Sequence, residues 1–264
     1  MQGDELRVLS LNVLHDRPNY ESLEQRLERI GTEIRKLGAD IVLLQEVPWI
    51  LGLGNGAEFI AKQAKMNYVF ARANGNKWTI FFEEGEAILS HYPLKKPTVF
   101  ELNPLAGFFE HRIVLHSVVE TSHGELDLYV SHLTNKDKKI NREQANSLKT
   151  FVEESTSGVG IIGGDFNAKD DEPQIVNLSR VWLDSYRELN PTEDGLTCCI
   201  EDLTSAPGEN LEKRIDYIFF ARSEEVGFKL LDAHVVLDQP IHMEDGWLWA
   251  SDHLGVLVSF YLDK

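Results

Sequence analysis

Gly163-Gly164-Asp165-Phe166-Asn167 follows directly on the apolar run Val159 to Ile162. An apolar run of that length bounded by glycines reads as a buried strand, which places Asp165 and Asn167 at its carboxyl end, on one face, with only Phe166 between them. Two glycines let the backbone approach another group closely. An acid and an amide alternating at a strand end can hold a metal-bound water together with a phosphoryl oxygen. Asp and Asn are also ordinary turn formers at a strand exit, so the pentapeptide acquires chemical meaning only if the rest of the chain supplies partners.

Upstream, an amphipathic helix is expected from about Lys139 to Glu154, with Ile140, Leu148, Phe151 and Val152 on its apolar face. The strand before it, Glu125 to Ser131, delivers Ser131-His132-Leu133, so a histidine stands at another strand end. Lys136, Lys138 and Lys139 follow His132 closely; they read as a solvated loop that can also attract an anion.

Nearer the amino terminus, Leu6 to Val13 alternates as a strand, with Val8, Ser10 and Asn12 on one face and Leu9, Leu11 and Val13 on the other. Glu21 to Leu37 then reads as a helix: Leu23, Leu27, Ile30, Ile34 and Leu37 share a face, Ser22 and Gln25 suggest a capping box, and Gly38 stops it. The next buried strand, Ile41 to Leu44, ends in Gln45-Glu46-Val47. A carboxylate at the end of a core strand is costly unless an arginine, a lysine or a metal neutralises it. Leu51 to Gly56 is a glycine-rich loop, and Ala57 to Met66 is expected as a short helix. Strands are expected over Tyr68 to Ala71, Trp78 to Phe82, Ala87 to Ser90, Val99 to Leu102 and Arg112 to Glu120, with turns at Glu83 to Glu86, His91 to Pro93 and Ser122-His123-Gly124.

Downstream of the pentapeptide, Asp170 to Asn210 reads as loop and short helix. Arg214 to Phe220 is a strand with a charged beginning, and Ala250-Ser251-Asp252-His253 precedes a last strand, Leu254 to Tyr261. Adjacent Asp252 and His253 point in different directions on an extended backbone, so one can serve a metal while the other serves the substrate. Asp216 can then orient His253.

The balance of 26 basic against 43 acidic residues, a formal charge of -17, disfavours non-specific nucleic-acid binding through a general basic surface. A polyanionic substrate must therefore be met locally, by a metal and a few placed cations. Cys198 and Cys199 are adjacent, which is poor geometry for a disulfide, and they lack the spacing of a zinc site, so a reducing compartment is expected. Met1 to Arg7 has acids and no apolar core, and no apolar run is long enough to span a membrane, so a cytoplasmic location is expected unless a leader was removed. The Asn177-Leu178-Ser179 sequon carries no weight without an export signal. Gly158-Val159-Gly160-Ile161-Ile162-Gly163 matches the dinucleotide fingerprint, but its glycines lie inside the strand and no helix opens after them. Serine-hydrolase, zincin and P-loop signatures are missing from the sequence.

The ordered set Asn12, Leu44-Gln45-Glu46-Val47, His132, Gly164-Asp165-Phe166-Asn167, Arg214-Ile215-Asp216-Tyr217 and Ser251-Asp252-His253 resembles the endonuclease/exonuclease/phosphatase superfamily related to deoxyribonuclease I. The resemblance runs over nearly the whole chain. It implies a four-layer α/β sandwich, two mixed β-sheets packed face to face with outer helices, and a single domain over residues 1–264. It makes Glu46 the main magnesium ligand, with Asn12 and Asp252 assisting and manganese a substitute. Asp165 would position or deprotonate the attacking water, and Asn167 would hold it with a non-bridging oxygen. His253, paired with Asp216, would bind the scissile phosphate, and His132 would add a donor; these roles suit in-line attack at phosphorus. Apurinic endonucleases carry an acid where this chain has Leu14 and a tyrosine where it has His132, so the resemblance points to the phosphodiesterase, phosphatase and deadenylase branches. Gly85 to Pro93 also looks like a stretch of sphingomyelinase-like members, with Glu86 a residue that can reach the site.

The expected function is hydrolysis of a phosphodiester by a monomeric, magnesium-dependent phosphoesterase. A nuclease or deadenylase acting on DNA or RNA is the alternative, and it requires a local cluster of cations and aromatics. Arg72, Lys77, Trp78, His111 and Arg112 are the candidates, and they are scattered along the chain. A phosphatase for a lipid headgroup or soluble phosphate would need a compact pocket with cations such as Lys136 and Arg142. A silent binding module would lack a metal ligand or the water-positioning acid, and none is missing.

Overall fold

The computed structural model describes residues 5–20, 22–108, 110–122, 124–208, 210–221, 227–244 and 246–263. Glu21 and His123, expected at a helix start and a turn, lie outside them.

Chain order begins β1 (Leu6–Asn12), α1 (Leu23–Leu37), β2 (Ile41–Ile50), β3 (Gly54–Asn55), α2 (Gly56–Ala64), β4 (Asn67–Asn76), β5 (Phe82–Ser90) and β6 (Lys95–Glu101). It continues β7 (Ile113–Thr121), β8 (Gly124–His132), α3 (Lys138–Ser155), β9 (Val159–Asp165), α4 (Pro173–Leu178), β10 (Leu183–Asp184), α5 (Ser185–Leu189) and β11 (Asp216–Ala221). The last elements are β12 (Gly227–Val236), the hairpin β13 (Ile241–Met243) and β14 (Gly246–Leu248), and β15 (Gly255–Asp263). One sheet has the order β12-β15-β1-β2-β5-β4 with β3 beside β2, and the other β10-β11-β9-β8-β7-β6. Each holds one parallel pair, β1 with β2 and β8 with β9, amid antiparallel neighbours.

The layers follow from the alternation of side chains. Val8, Ile41, Leu43 and Ile88 of the first sheet meet Leu115, Leu128, Ile161 and Ile218 of the second in one inter-sheet core. On the outer face of the first sheet, Leu9, Leu11, Val42 and Leu44 pack under Leu27, Ile30 and Ile34 of α1 and Ile60 of α2. Behind the second, Tyr129, Ile162, Tyr217 and Phe219 pack under Leu148 and Val152 of α3 and Ile175 of α4. The result is the expected four-layer α/β sandwich. Each such apolar side chain, fully buried, contributes about 1.5–3 kcal/mol.

Several local expectations give way to the tertiary structure. Ser22 has a left-handed backbone and its side chain caps nothing, whereas Asp137 caps α3 by accepting from the Lys139 and Ile140 amides. The strand expected to end at Leu44 runs on to Ile50, broken by a bulge between Leu44 and Val47 that contains Glu46. Trp78 to Phe81 form a turn instead of a strand, because the Asn76 side chain accepts from the Trp78 and Thr79 amides. Glu83 to Glu86, expected as a turn, lie inside β5, paired with β2 and β4 on both sides.

The glycines of the opening pentapeptide serve packing. A Cβ on Gly164 would stand 2.0 Å from the Ser131 carbonyl oxygen of β8, and one on Gly163 would stand 2.5 Å from Leu43 Cδ1 across the inter-sheet core. Gly164→Ala is therefore expected to cost about 3 kcal/mol of stability, read as a lowered denaturation midpoint. A wild-type midpoint would show that β8 and β9 separate freely at this point.

Candidate active site

The carboxyl ends of the two parallel pairs meet at one edge of the sandwich. In the second sheet His132 is the register partner of Asp165, and Asp165 of Asp216, so three neighbouring strands place an imidazole and two carboxylates side by side. In the first sheet Asn12 ends β1 beside Gln45, and the bulge, with Glu46 at φ +54°, turns the Glu46 carboxylate toward Asn12. The Asn12 amide nitrogen then bridges the sheets, donating to Glu46 Oε1 and to Asp165 Oδ2, each at 3.2 Å.

The distant turn at Ser251-Asp252-His253 is stitched to the same place. Ser251 Oγ donates to the Asn12 carbonyl at 2.6 Å and to Asp252 Oδ1 at 3.2 Å. Buried Arg26 of α1 clamps both segments, donating to the carbonyls of Val13, Leu14 and Ala250. His253 Nδ1 lies 2.9 Å from Asp216 Oδ2, and its Nε2 is 3.8 Å from Asp165 Oδ2. Thr197 Oγ1 donates to Asp216 Oδ2 at 2.6 Å, so the carboxylate that orients His253 is itself held.

Asn167 reaches this cluster differently from the expected strand alternation. β9 ends at Asp165, and Asn167 sits in a left-handed turn, φ +48°, its amide nitrogen bonded to Asp165 Oδ1. Its side-chain nitrogen donates to the Leu133 carbonyl and to His132 Nε2, both at 3.0 Å. His132 Nε2 is therefore the accepting nitrogen, and the ring hydrogen lies on Nδ1, 3.8 Å from Glu46 Oε1 and without a hydrogen-bond partner among the described residues. Burial, with help from Arg112 and His253, holds His132 well below the usual imidazole range, so it is neutral.

The electrostatics separate the other groups. Burial pushes Asp165 up to about 7, against the opposing charge of His253 and with the help of Asp216. Burial alone would lower His253, but Asp216 and Asp165 more than reverse this and hold it well above its ordinary value, as an imidazolium. Burial raises Asp252, His253 opposes this, and the nearby charge of Glu46 adds to it. Among the described residues, Glu46 has His15 and His132 as its ion-pair neighbours, His15 Nε2 at 3.6 Å, and neither Lys nor Arg.

The donor set fits a hard divalent cation. The carboxylates of Glu46 and Asp252 lie near one another, and among the described residues neither forms an ion pair with a Lys or Arg, while the charge of buried Arg26 reaches both. Asn12 faces Glu46 through nitrogen, its oxygen accepting from the Leu14 amide at 3.0 Å.

A groove of about 1200 Å³ opens beside Glu46 at His15 and runs between Arg17, Arg72, Phe82, His111 and Lys136. Of the cations that looked scattered along the chain, Arg72 and His111 line it and Arg112 pairs with Glu110 in its wall, while Lys77 lies over Trp78 and neither is in its lining. Arg142 is exposed and lies outside its lining. His15, Thr197 and the buried acid Glu84 escaped the sequence reading. For Glu84 a signal existed, since it shares the inward alternation of Glu86 and Ile88. A further correction concerns Cys198 and Cys199, which are joined as a disulfide with their Cα atoms 3.0 Å apart.

Against known proteins, the sequence model of the Endonuclease/Exonuclease/phosphatase family matches residues 9–253. Among solved structures, a family protein of Bacteroides thetaiotaomicron superposes with a TM-score of 0.79 at 19% identity, covering all of both chains. Mannosyl-6-phosphatase Bt3783 of Bacteroides thetaiotaomicron VPI-5482 gives 0.76 at 20% identity, over 97% of this chain and 99% of that one. A humanized TDP2 of D. rerio gives 0.74 at 18%, over 97% and 98%. No curated protein sequence matches the chain. With a family match across the span that holds every site residue from Asn12 to His253, the chain belongs to the Endonuclease/Exonuclease/phosphatase family, whose members are hydrolases acting on phosphoric ester bonds.

Proposed function

We propose that the protein hydrolyses a phosphodiester by in-line attack of water at phosphorus, with magnesium as the natural divalent cation and manganese as a substitute. The observation that carries this reading is the division of labour in one cleft: on one side carboxylates with no Lys or Arg ion pair among the described residues and on the other an imidazolium, with Asp165 between them. A bound divalent cation would supply charge neutralisation at the phosphoryl oxygens.

Glu46, Asn12 and Asp252 would hold that cation, Asn12 once its amide presents oxygen in place of nitrogen. Asp165, bonded to Asn12 and 3.8 Å from His253, orients the water and takes its proton. Asn167 fixes the Asp165 carboxylate through its backbone amide and holds the water with a non-bridging oxygen. His253, steered by Asp216, binds the scissile phosphate and neutralises charge as the ester bond breaks, and His132 presents a neutral ring to the same site. Both halves of the chain contribute to the core and to the cleft, which supports one working domain over residues 1–264.

A phosphodiester is favoured over a small monoester because the adjoining groove is several times the size of a phosphate. A nucleic-acid substrate is the second reading, favoured by Arg17, Arg72, His111 and Lys136 lining that groove. Against it, Glu83, Glu101 and Glu110 already pair with Arg72, His111 and Lys136.

Turnover of bis-p-nitrophenyl phosphate, p-nitrophenyl phosphate, single-stranded and duplex DNA, and sphingomyelin, each with magnesium and with chelator, decides between them. Activity on the diesters that survives chelation would overturn the metal assignment. Glu46→Gln is expected to weaken magnesium affinity by about 100-fold, measured by calorimetry without substrate, with activity partly recovered at high magnesium.

A further inference from the structure

Cys198 and Cys199 lie against His253. Cys198 and His253 are backbone neighbours in an antiparallel bridge, and the Ile200 amide donates to the Asp252 carbonyl at 2.8 Å. The sulfurs of Cys198 and Cys199 and an imidazole nitrogen of His253 all lie within 4.8 Å of one another. Cys198 is buried, Cys199 is half-buried, and both line a separate cavity of about 610 Å³ together with Glu201, Glu212 and Lys213.

From this arrangement we infer that the dithiol form of Cys198 and Cys199, with His253, is a binding site for one thiophilic divalent cation of the zinc class, and that its occupation withdraws His253 from the phosphate. Two thiolates and an imidazole are soft and borderline donors, which select zinc over magnesium, whereas Glu46 and Asp252 offer the opposite chemistry. A tetrahedral zinc with bonds to sulfur of about 2.3 Å needs its sulfurs about 3.8 Å apart, a separation that requires the disulfide to be open. Half-buried Cys199 can move into the cavity to reach that separation. Asp216 on His253 Nδ1 is the kind of carboxylate that orients a metal-binding imidazole.

The site exists only after the disulfide is opened. A small dithiol transfers two electrons and two protons to the Cys198–Cys199 bond, leaving as a cyclic disulfide, and the cysteines become thiols. On binding, the cation takes two thiolates and a lone pair of the His253 ring, and three protons are released to solvent, two from the thiols and one from the imidazolium. The site therefore couples the redox state of the pair to the availability of His253.

Cobalt(II) is the probe, added to full-length protein that has been reduced with dithiothreitol, desalted under nitrogen and saturated with magnesium. The expected result is a thiolate-to-cobalt charge-transfer band titrating to one equivalent, displaced by zinc. In Cys199→Ser and in Cys198→Ser the affinity falls by roughly 100-fold, and the oxidised wild type gives no band. His253→Gln is expected to weaken binding by about tenfold. Failure of reduced wild type to show the band, or its survival in both serine variants, overturns the site; unchanged affinity in His253→Gln overturns the involvement of the imidazole. Zinc inhibition of the reduced wild type, relieved in Cys199→Ser, is the consequence for turnover. Because that consequence rests on the phosphoesterase reading, the cobalt spectra, taken without substrate, separate a failure of that reading from a failure of the site.

Discussion

Asp165→Asn is expected to reduce kcat by at least about 1000-fold on any diester the wild type turns over, while leaving the fold intact. The variant keeps the shape of the side chain, so the Asn167 amide can still donate to Oδ1, but it removes the proton acceptor between the carboxylate set and His253. The stability prediction runs the other way. Burial makes the ionised form of Asp165 costly, and its folded value near 7 lies above the ordinary carboxylate value of about 3.9. A carboxyl whose value rises on folding loses stability as pH climbs through and above the ordinary value, because the unfolded chain ionises more readily. In chelator at pH 8, Asp165→Asn is therefore expected to melt at or above the wild-type temperature. A variant with near wild-type kcat would remove Asp165 from the mechanism, and one that is both inactive and strongly destabilised would reduce it to a structural residue.

The second large effect is expected at the His253 pair. His253→Gln should cost about 1000-fold in kcat, because the imidazolium that faces the phosphate disappears. Asp216 acts through His253, so its substitution has a different signature. Asp216→Asn removes the charge that holds the imidazolium, 2.9 Å from Nδ1, and thereby lowers the affinity of His253 for its proton. Activity that needs protonated His253 is lost as pH rises through its raised value. In Asp216→Asn this alkaline limb is expected to move to lower pH by at least about one unit. A Thr197→Val variant, which withdraws the 2.6 Å bond to the same Asp216 oxygen, should shift the limb in the same series without contacting the substrate. Equal loss at every pH in Asp216→Asn would show that Asp216 packs against His253 without tuning it.

Much of the architecture was legible along the chain. The alternation in Leu6 to Val13 assigned Val8 to the inter-sheet core and Leu9 and Leu11 to the helix-covered face, because a strand exposes its two sides at a period of two. The spacing of Leu23, Leu27, Ile30 and Ile34 foretold α1, and the run before Asp165 foretold β9. Local chemistry also misled. Trp78, Ile80 and Phe81 are apolar enough for a strand yet stay exposed in an Asn-capped turn, and the acids of β5 look like a turn yet are buried.

From its residues in order, the sequence determined that acids, amides and imidazoles would stand at strand ends, since apolar runs interrupted by polar residues leave those groups few other places. What only the tertiary structure decided was which of them meet: the bulge that turns Glu46 toward Asn12, the clamp of Arg26 on segments more than two hundred residues apart, and the gathering of Arg72 and His111 on one groove. Periodicity is written within each segment, but contact between distant segments depends on register, bulges and the packing of two sheets, which no single segment encodes.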